Sequence, residues 1–516
     1  MSIALGTRQP CDQAAPGAEC QPCDSRTQRW VLAASVLGSS LAFIESSIIS
    51  LALPSLQSDL AIDAVELQWV VNAYLLTLSS LMLIGGSAGD RLGLRRIYIA
   101  GLFLFGLASA VCGVVSDPAL LIAFRAIQGA GAAFLVPASL ALLNVFFAEE
   151  DRPRAIGIWA GASALTTAAG PIIGGALVDL FDWRAVFLFI VPLSFLAMGM
   201  AAWKVPARPP RETGALDFVG AGLLMSSLAL ITYALVGMGE TSASTAPLLA
   251  GIAAFAGFLV YERSTPKPML PLGLFASRVF SGANIMTALL YFALGGALYF
   301  VPFNLIQVQG YSALQAGAAF LPMTLMLGFG SAVAGEQLKR YPAHVLLAAG
   351  AGLTGAGLFL LMVPGTESSY VMHWLPGIAI IGFGMTLCVS PLTTVVMASV
   401  DEASSGTASG VNNTAARLAS MLAVAMLTVL AVRAFGAGLE SSLGQLQVAE
   451  DLSSALLANA HLLAELVSSP EIVADSAAMD AVRGSYVAAF RMLMGVCAIA
   501  AAMAGSVAFL TLKERR

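Results

Sequence analysis

Long apolar runs alternate with short polar or Pro/Gly-rich links from Trp30 to Leu512. Each run is about 20 residues, long enough as a helix to cross a hydrocarbon core roughly 30 Å thick. The two-residue alternation of barrel strands is absent from these runs, and a helix satisfies its own backbone polar groups in lipid. The pattern predicts an all-α polytopic membrane protein with about fourteen spans. Their centres fall near Leu41, Ser79, Gly106, Gly131, Thr166, Ser194, Leu228, Phe255, Tyr291, Met326, Gly355, Gly384, Leu422 and Ala498.

Composition agrees. Of the 516 residues, 58% are hydrophobic and only 11% charged, against about 25% charged in soluble domains. Residues 1–29 are polar and lack the short apolar core and small-residue cleavage site of a secretory signal, so the first span is expected to act as its own insertion signal.

Charge placement sets an orientation. Basic residues cluster after every second span: Arg91, Arg95 and Arg96; Arg152 and Arg154; Lys204, Arg208 and Arg211; Arg263, Lys267 and Arg278; Lys339 and Arg340; Lys513, Arg515 and Arg516. The alternate links carry Asp59, Asp63, Glu66, Asp117, Asp179, Glu240 and Glu367 instead. The positive-inside rule then places both termini in the cytoplasm, which independently requires an even number of spans. One link, "SVDEASSGTASG", departs from the series in having no basic residue. The net charge of −5 calls for no nucleic-acid partner, because the basic residues are spread over cytoplasmic links.

The organisation reads as six, two and six spans. Residues 1–29 form a cytoplasmic tail, expected to be disordered; 30–205 hold the first six-helix bundle, 206–278 two inserted helices with their linkers, and 279–516 the second bundle, with a long acidic exterior link at about 435–484 whose moderately apolar sequence can form surface helices. The two Pro-rich stretches "KVPARPPRETGALD" and "ERSTPKPMLPLGLFASR" mark the boundaries. "GGSAGDRLGLRR" after the second span has a fainter counterpart, "AGEQLKRYP", where a duplicated six-helix unit would place it. In the tail, Cys11, Cys20 and Cys23 include a CxxC pair, but no nearby histidine completes a usual zinc pattern.

The first span contains an acid, Glu45. At about 3.6 residues per turn it shares a stripe with Gly38, Ala42, Ile49 and Ala52, mostly small residues that let a neighbour come close. An ionised acid near the bilayer centre costs about 2.5–3.5 kcal/mol, so the cheaper state is protonated or faces water or a partner. Such a group can load and release a proton; the plainer alternative is a structural glutamate bonded to a neighbouring helix. Asp217 and Glu262, near the mouth, are rival proton carriers.

Arg125 in the fourth span is the second intramembrane charge, with Gln128 nearby and Gly129 one turn on. It can swap partners as an acid titrates, or hold a fixed structural pair. In the thirteenth span Gly406, Gly410, Asn413 and Arg417 share a face, though Arg417 has the reach to snorkel to the interface. Gly157, Gly161, Gly170, Pro171, Gly174 and Gly175 in the fifth span suit a pivot between helices.

These residues resemble the major facilitator superfamily. "GGSAGDRLGLRR" matches its loop signature, with Gly86, Asp90, Arg91, Gly93, Arg95 and Arg96 in place, and "FRAIQGAGAA" its fourth-span motif around Arg125. "AAGPIIGG" is similar to the fifth-span motif of its antiporters, and "IESSIISLALP" to the first-span motif of its fourteen-spanner drug:proton antiporters. "GYSALQAG", "DWRAVFLFIVP" and "GVNNTAARLAS" add similar matches. The chain departs in having Glu45 where an Asp is usual, Ser50 for an Asn, and Ile190 for an Asn before "VP".

The resemblance implies two six-helix bundles that rock about a central cavity. It assigns proton coupling to Arg125 beside Glu45 and an antiport hinge to Gly161, Gly170, Pro171, Gly174 and Gly175. It gives Asp90, Arg91 and Arg95 a cytoplasmic charge network. The expected function is proton-coupled export of small hydrophobic or amphiphilic compounds across the cytoplasmic membrane by a monomer, with protons as coupling ion and no cofactor.

One charge moving through 100 mV supplies about 2.3 kcal/mol, roughly fifty-fold in concentration. Asn72, Tyr74, Tyr291, Tyr299, Asn304 and Asn413 are the candidates for a cavity with aromatic walls and a few polar groups. Export of one endogenous metabolite or lipid is the alternative; a non-transporting receptor on the same scaffold explains neither the hinge nor the coupling groups. The sequence has no "GxxxxGK" phosphate loop and no nucleophile elbow, and its three histidines, His344, His373 and His461, lie at links or span ends, so an enzyme is not expected.

Overall fold

The computed structural model describes residues 25–148, 151–207, 217–237, 245–266, 268–337, 340–400, 405–446, 450–458 and 476–513. Cys11, Cys20, Cys23, His461 and the side chain of Asp90 lie outside the described residues. The described chain is helical. Its helices are α1 (Ser25–Leu60), α2 (Ala64–Leu92), α3 (Leu94–Cys112), α4 (Pro118–Phe146), α5 (Arg152–Leu180), α6 (Arg184–Lys204), α7 (Phe218–Gly237), α8 (Ala246–Ser264) and α9 (Arg278–Phe303). They continue as α10 (Ala313–Ala318), α11 (Leu321–Gln337), α12 (Ala343–Leu360), α13 (Leu375–Ala398), α14 (Ser405–Leu446), α15 (Glu450–Ala458) and α16 (Ser476–Thr511).

Among the described residues, 12 helices are long and apolar enough to cross a membrane. The spans expected around Ser79 and Met326 fall on α2, a 29-residue helix, and α11, a 17-residue one preceded by the short α10. Local chemistry sets several ends. Asp63 caps α2 by accepting the Glu66 N–H at 2.7 Å, and Asp117 caps α4 by accepting the Ala119 N–H at 2.8 Å ahead of the ring of Pro118. Gly93 turns the chain between α2 and α3 at φ 97°, a conformation that other residues rarely adopt.

Helices α1 to α6 pack on one another, α1 against α4, α5 and α6, and α4 against α2 and α3. Helices α9 to α16 form a second set, with α14 and α16 on α9 and α12 between α13 and α16. The sets meet through α2 on α14, α5 on α10 and α11, and α1 on α9. Helices α7 and α8 pack as a pair, with α7 against both α2 and α14. Large apolar side chains such as Phe103, Leu196, Ile252, Phe359 and Phe509 are exposed on the outside, where lipid rather than water is the compatible solvent.

Two helices extend past the spans themselves. α1 starts at Ser25, inside the segment read as tail. The link expected at 435–484 is largely helical where described: α14 runs on to Leu446 and α16 opens at Ser476. Phe435, Leu439 and Leu443 are buried at four-residue spacing, and the hydroxyls of Ser442 and Ser485 meet at 3.4 Å. This is an amphipathic two-helix extension, in keeping with the surface helices that its sequence allows.

The join between α5 and α10 is close. A Cβ at Gly175 would collide with the Ala313 carbonyl, and one at Gly317 with the Pro171 carbonyl. Asp179, at the end of α5, accepts the Ala313 and Leu314 N–H groups at 3.0 and 2.9 Å. Ser312 and Gln315 complete a capping box, so the orphan donors of α10 are satisfied partly by the other helix set.

Candidate functional site

Glu45 and Arg125 meet inside the first helix set. The small-residue stripe on α1 is buried throughout, including Gly38, Ala42 and Glu45. On α4, Gly129 lies so close to α2 that a Cβ would strike the Tyr74 carbonyl, which draws Arg125 against α2. Both charged side chains are fully buried. Arg125 donates to Glu45 Oε1 at 2.5 Å, to Gln128 Oε1 at 2.6 Å and, through Nε, to the Val70 carbonyl at 2.9 Å.

The network continues outward. Gln128 donates to Ser109 Oγ at 3.2 Å, and Ser109 to the Phe187 carbonyl at 2.9 Å. The Arg125 guanidinium carbon lies 4.5 Å from the ring centre of Tyr74 and 5.6 Å from that of Phe187, and Tyr74 donates its hydroxyl to the Ala42 carbonyl at 3.2 Å. Five helices, α1, α2, α3, α4 and α6, thus converge on one ion pair. No donor reaches Glu45 Oε2. Addition of a proton to Glu45 would weaken one of several contacts that hold Arg125, so the arginine has partners in either protonation state of the acid.

At the seam between the helix sets, Arg417 of α14 donates to Ser46 of α1 at 3.3 Å and lies 5.5 Å from the ring centre of Phe43. It therefore crosses to α1 instead of snorkelling to the interface. Phe43 meets Trp159 of α5 edge-on at 6.2 Å. Ser420 donates to the Tyr291 carbonyl of α9 at 3.3 Å, and Asn413, one turn before Arg417, is exposed.

The other candidates are dispersed. Tyr74 belongs to the Arg125 cluster. Asn72 is fully buried with neither amide atom hydrogen-bonded. Tyr299 is buried against Phe300 and Phe303, and Asn304 accepts from Gln309 at 3.3 Å within a π-helical turn. The fifth-span glycines divide into two groups: Gly170 and Gly174 press on Ser47 and Ile48 of α1 and Gly175 on α10, whereas Gly157 and Gly161 have nothing within 4 Å of an added Cβ. In the loop signature, Gly86 lies loosely against Pro137, Arg95 donates to the Ala202 carbonyl of α6, Arg96 is exposed and Arg91 is half-buried.

Asp217 and Glu262 are brought together on the α7 and α8 pair, each against the position of a Cβ at Gly220. Asp217 accepts the Gly220 N–H at 2.8 Å and Glu262 the Leu270 N–H at 3.0 Å. Among the described residues no group of three or more His, Cys, Asp or Glu side chains is arranged to hold a metal.

Ser46, Ser109, Phe43, Trp159 and Phe187 were not legible as site residues. Serines and aromatics abound in these spans, and only the pairing of helices selects these five. Gln128 carried a signal, one turn from Arg125.

Residues 35–424 match the family described as Major Facilitator Superfamily. The chain is 32% identical to the tetracenomycin C resistance and export protein of Streptomyces glaucescens, over 78% of this chain and 76% of that one. It is 33% identical to a puromycin resistance protein of Streptomyces alboniger, over 83% and 87%. Among solved structures, a bacterial homologue of the human lysosomal transporter Spinster, in an inward-facing and occupied conformation, superposes with a TM-score of 0.64 at 18% identity, covering 95% of this chain and 97% of that one.

Proposed function

Taking as premise that this chain belongs to the major facilitator superfamily, a family of transporters and not of enzymes, we propose that it exports small hydrophobic or amphiphilic compounds, drugs and antibiotics among them, in exchange for protons. Export follows the relatives, which are resistance and export proteins. Proton coupling is carried by one observation, the fully buried pair of Glu45 and Arg125 with its unpartnered carboxylate oxygen. Breaking such a pair by removing one partner costs about 3–5 kcal/mol, so protonation of the acid is a strong lever on helix arrangement.

The chain is read as a fourteen-span protein of the cytoplasmic membrane, with α2 and α11 joining the 12 helices that are long and apolar enough to cross among the described residues and both termini cytoplasmic. It works as a monomer of six, two and six spans. With the acidic end of α5 outside, the close join of α5 and α10 seals the exterior, and the open space at Gly157 and Gly161 lies on the cytoplasmic side. Rocking of the two sets would release the Asp179 contacts and open the exterior.

The test is dye efflux in inverted vesicles under an imposed pH gradient. Native protein should move dye with the gradient, and Glu45→Gln, which keeps an acceptor for Arg125 but cannot titrate, should abolish that movement at unchanged abundance. Normal efflux by the variant would remove Glu45 from the proton path.

A further inference from the structure

Glu45 spends its charge on Arg125, but among the described residues no carboxylate pairs with Arg417. Glu45 pairs with Arg125, and Asp59 with Arg184. Arg417 instead meets the Ser46 hydroxyl and the face of Phe43. Arginine does not deprotonate in proteins, so this half-buried seam carries one fixed positive charge.

A cation that is partly desolvated and met only by a hydroxyl and a ring is incompletely compensated. Its fork of donors matches a carboxylate or phenolate oxygen. The walls beside it are aromatic: Phe43 and Trp159 meet edge-on, and Tyr291 lies on the adjoining α9. Flat rings stack well on such walls.

We propose that Arg417 is the anion-recognising residue of the transport site, and that the preferred cargo is an amphiphilic organic anion, a carboxylate or phenolate attached to a flat ring body. The anion would pair with Arg417 while its ring packs on Phe43 and Trp159. This rests on the efflux reading above. It also divides the labour at the seam: Glu45 answers to protons, and Arg417, one helix face away beside Ser46, answers to cargo.

The test measures binding separately from transport. Fluorescence anisotropy would follow fluorescein, an anion, and ethidium, a cation, on detergent-purified native protein, Arg417→Gln and Arg417→Lys, with thermal melting to confirm folding. Native protein should bind fluorescein more tightly than ethidium. Arg417→Gln should weaken fluorescein binding by about tenfold or more, the effect of one charge-assisted hydrogen bond. Arg417→Lys should retain part of it, and ethidium should bind Arg417→Gln more tightly once the repelling charge is gone.

Absence of fluorescein binding, equal affinity in native and Gln forms, or equal loss in Lys and Gln forms would overturn the proposal. Vesicle transport run in parallel keeps the two readings apart. Charge-selective binding without gradient-driven movement would sink proton antiport and leave anion recognition standing.

Discussion

At the scale of the residue, Arg125 is held by geometry as much as by charge. Its Nε and Nη1 donate to three acceptors on three helices while its plane lies over Tyr74. Lysine retains the charge but cannot reproduce that planar fork. Arg125→Lys should therefore lower stability by about 1–3 kcal/mol through buried acceptors left unpaired, and Arg125→Ala by about 3–5 kcal/mol, since it strands Glu45. Thermal unfolding in detergent checks the order; a lysine variant as stable as the native protein would make the pair a simple charge contact. Gln128 and Ser109 extend the same argument, because each passes a hydrogen bond outward to α3 and α6.

At the scale of the element, α5 behaves as two halves. Its Asp179 end is joined to α10 through glycine contacts and a shared cap, while the half that holds Gly157 and Gly161 faces open space. A branched side chain in the joined half must push the two helix sets apart. Gly175→Leu should hold the α10 side open and cut efflux to about a tenth or less, a shift of some 1.4 kcal/mol or more in the rocking equilibrium. Gly161→Ala should stay within about twofold of native efflux, since the added methyl meets nothing and removes the helix cost of glycine, about 1 kcal/mol. Vesicle efflux normalised to protein abundance measures both, and equal losses would place the hinge across the whole motif instead.

At the scale of the whole molecule, the exposed apolar outer surface and the paired α7 and α8 define a body made to sit in lipid. The fourteen-span reading makes a topological prediction. In a variant stripped of its six native cysteines, a single cysteine at Ser116, between α3 and α4, should react with a membrane-impermeant thiol reagent in intact cells. One at Thr265, after α8, should react only once the membrane is opened. Reaction at both positions in intact cells would refute the five spans, α4 to α8, that the reading places between them.

Much of this was determined by the chain alone. The number and spacing of apolar runs, the alternation of basic links and the lone acid and arginine inside spans depend on composition along one dimension, where lipid leaves few solutions. Arg125 and Glu45 were legible because a buried charge is conspicuous in an apolar run. What Arg417 touches was not, because an arginine near a span end has the reach to snorkel outward or to cross inward, and only the position of α1 beside α14 makes it cross. The dispersal of Tyr74, Tyr299, Asn72 and Asn304, the helical extension past Phe435 and the cap that Asp179 gives α10 likewise depend on which helices become neighbours. That choice is made by packing between faces distant in sequence, which no local pattern encodes.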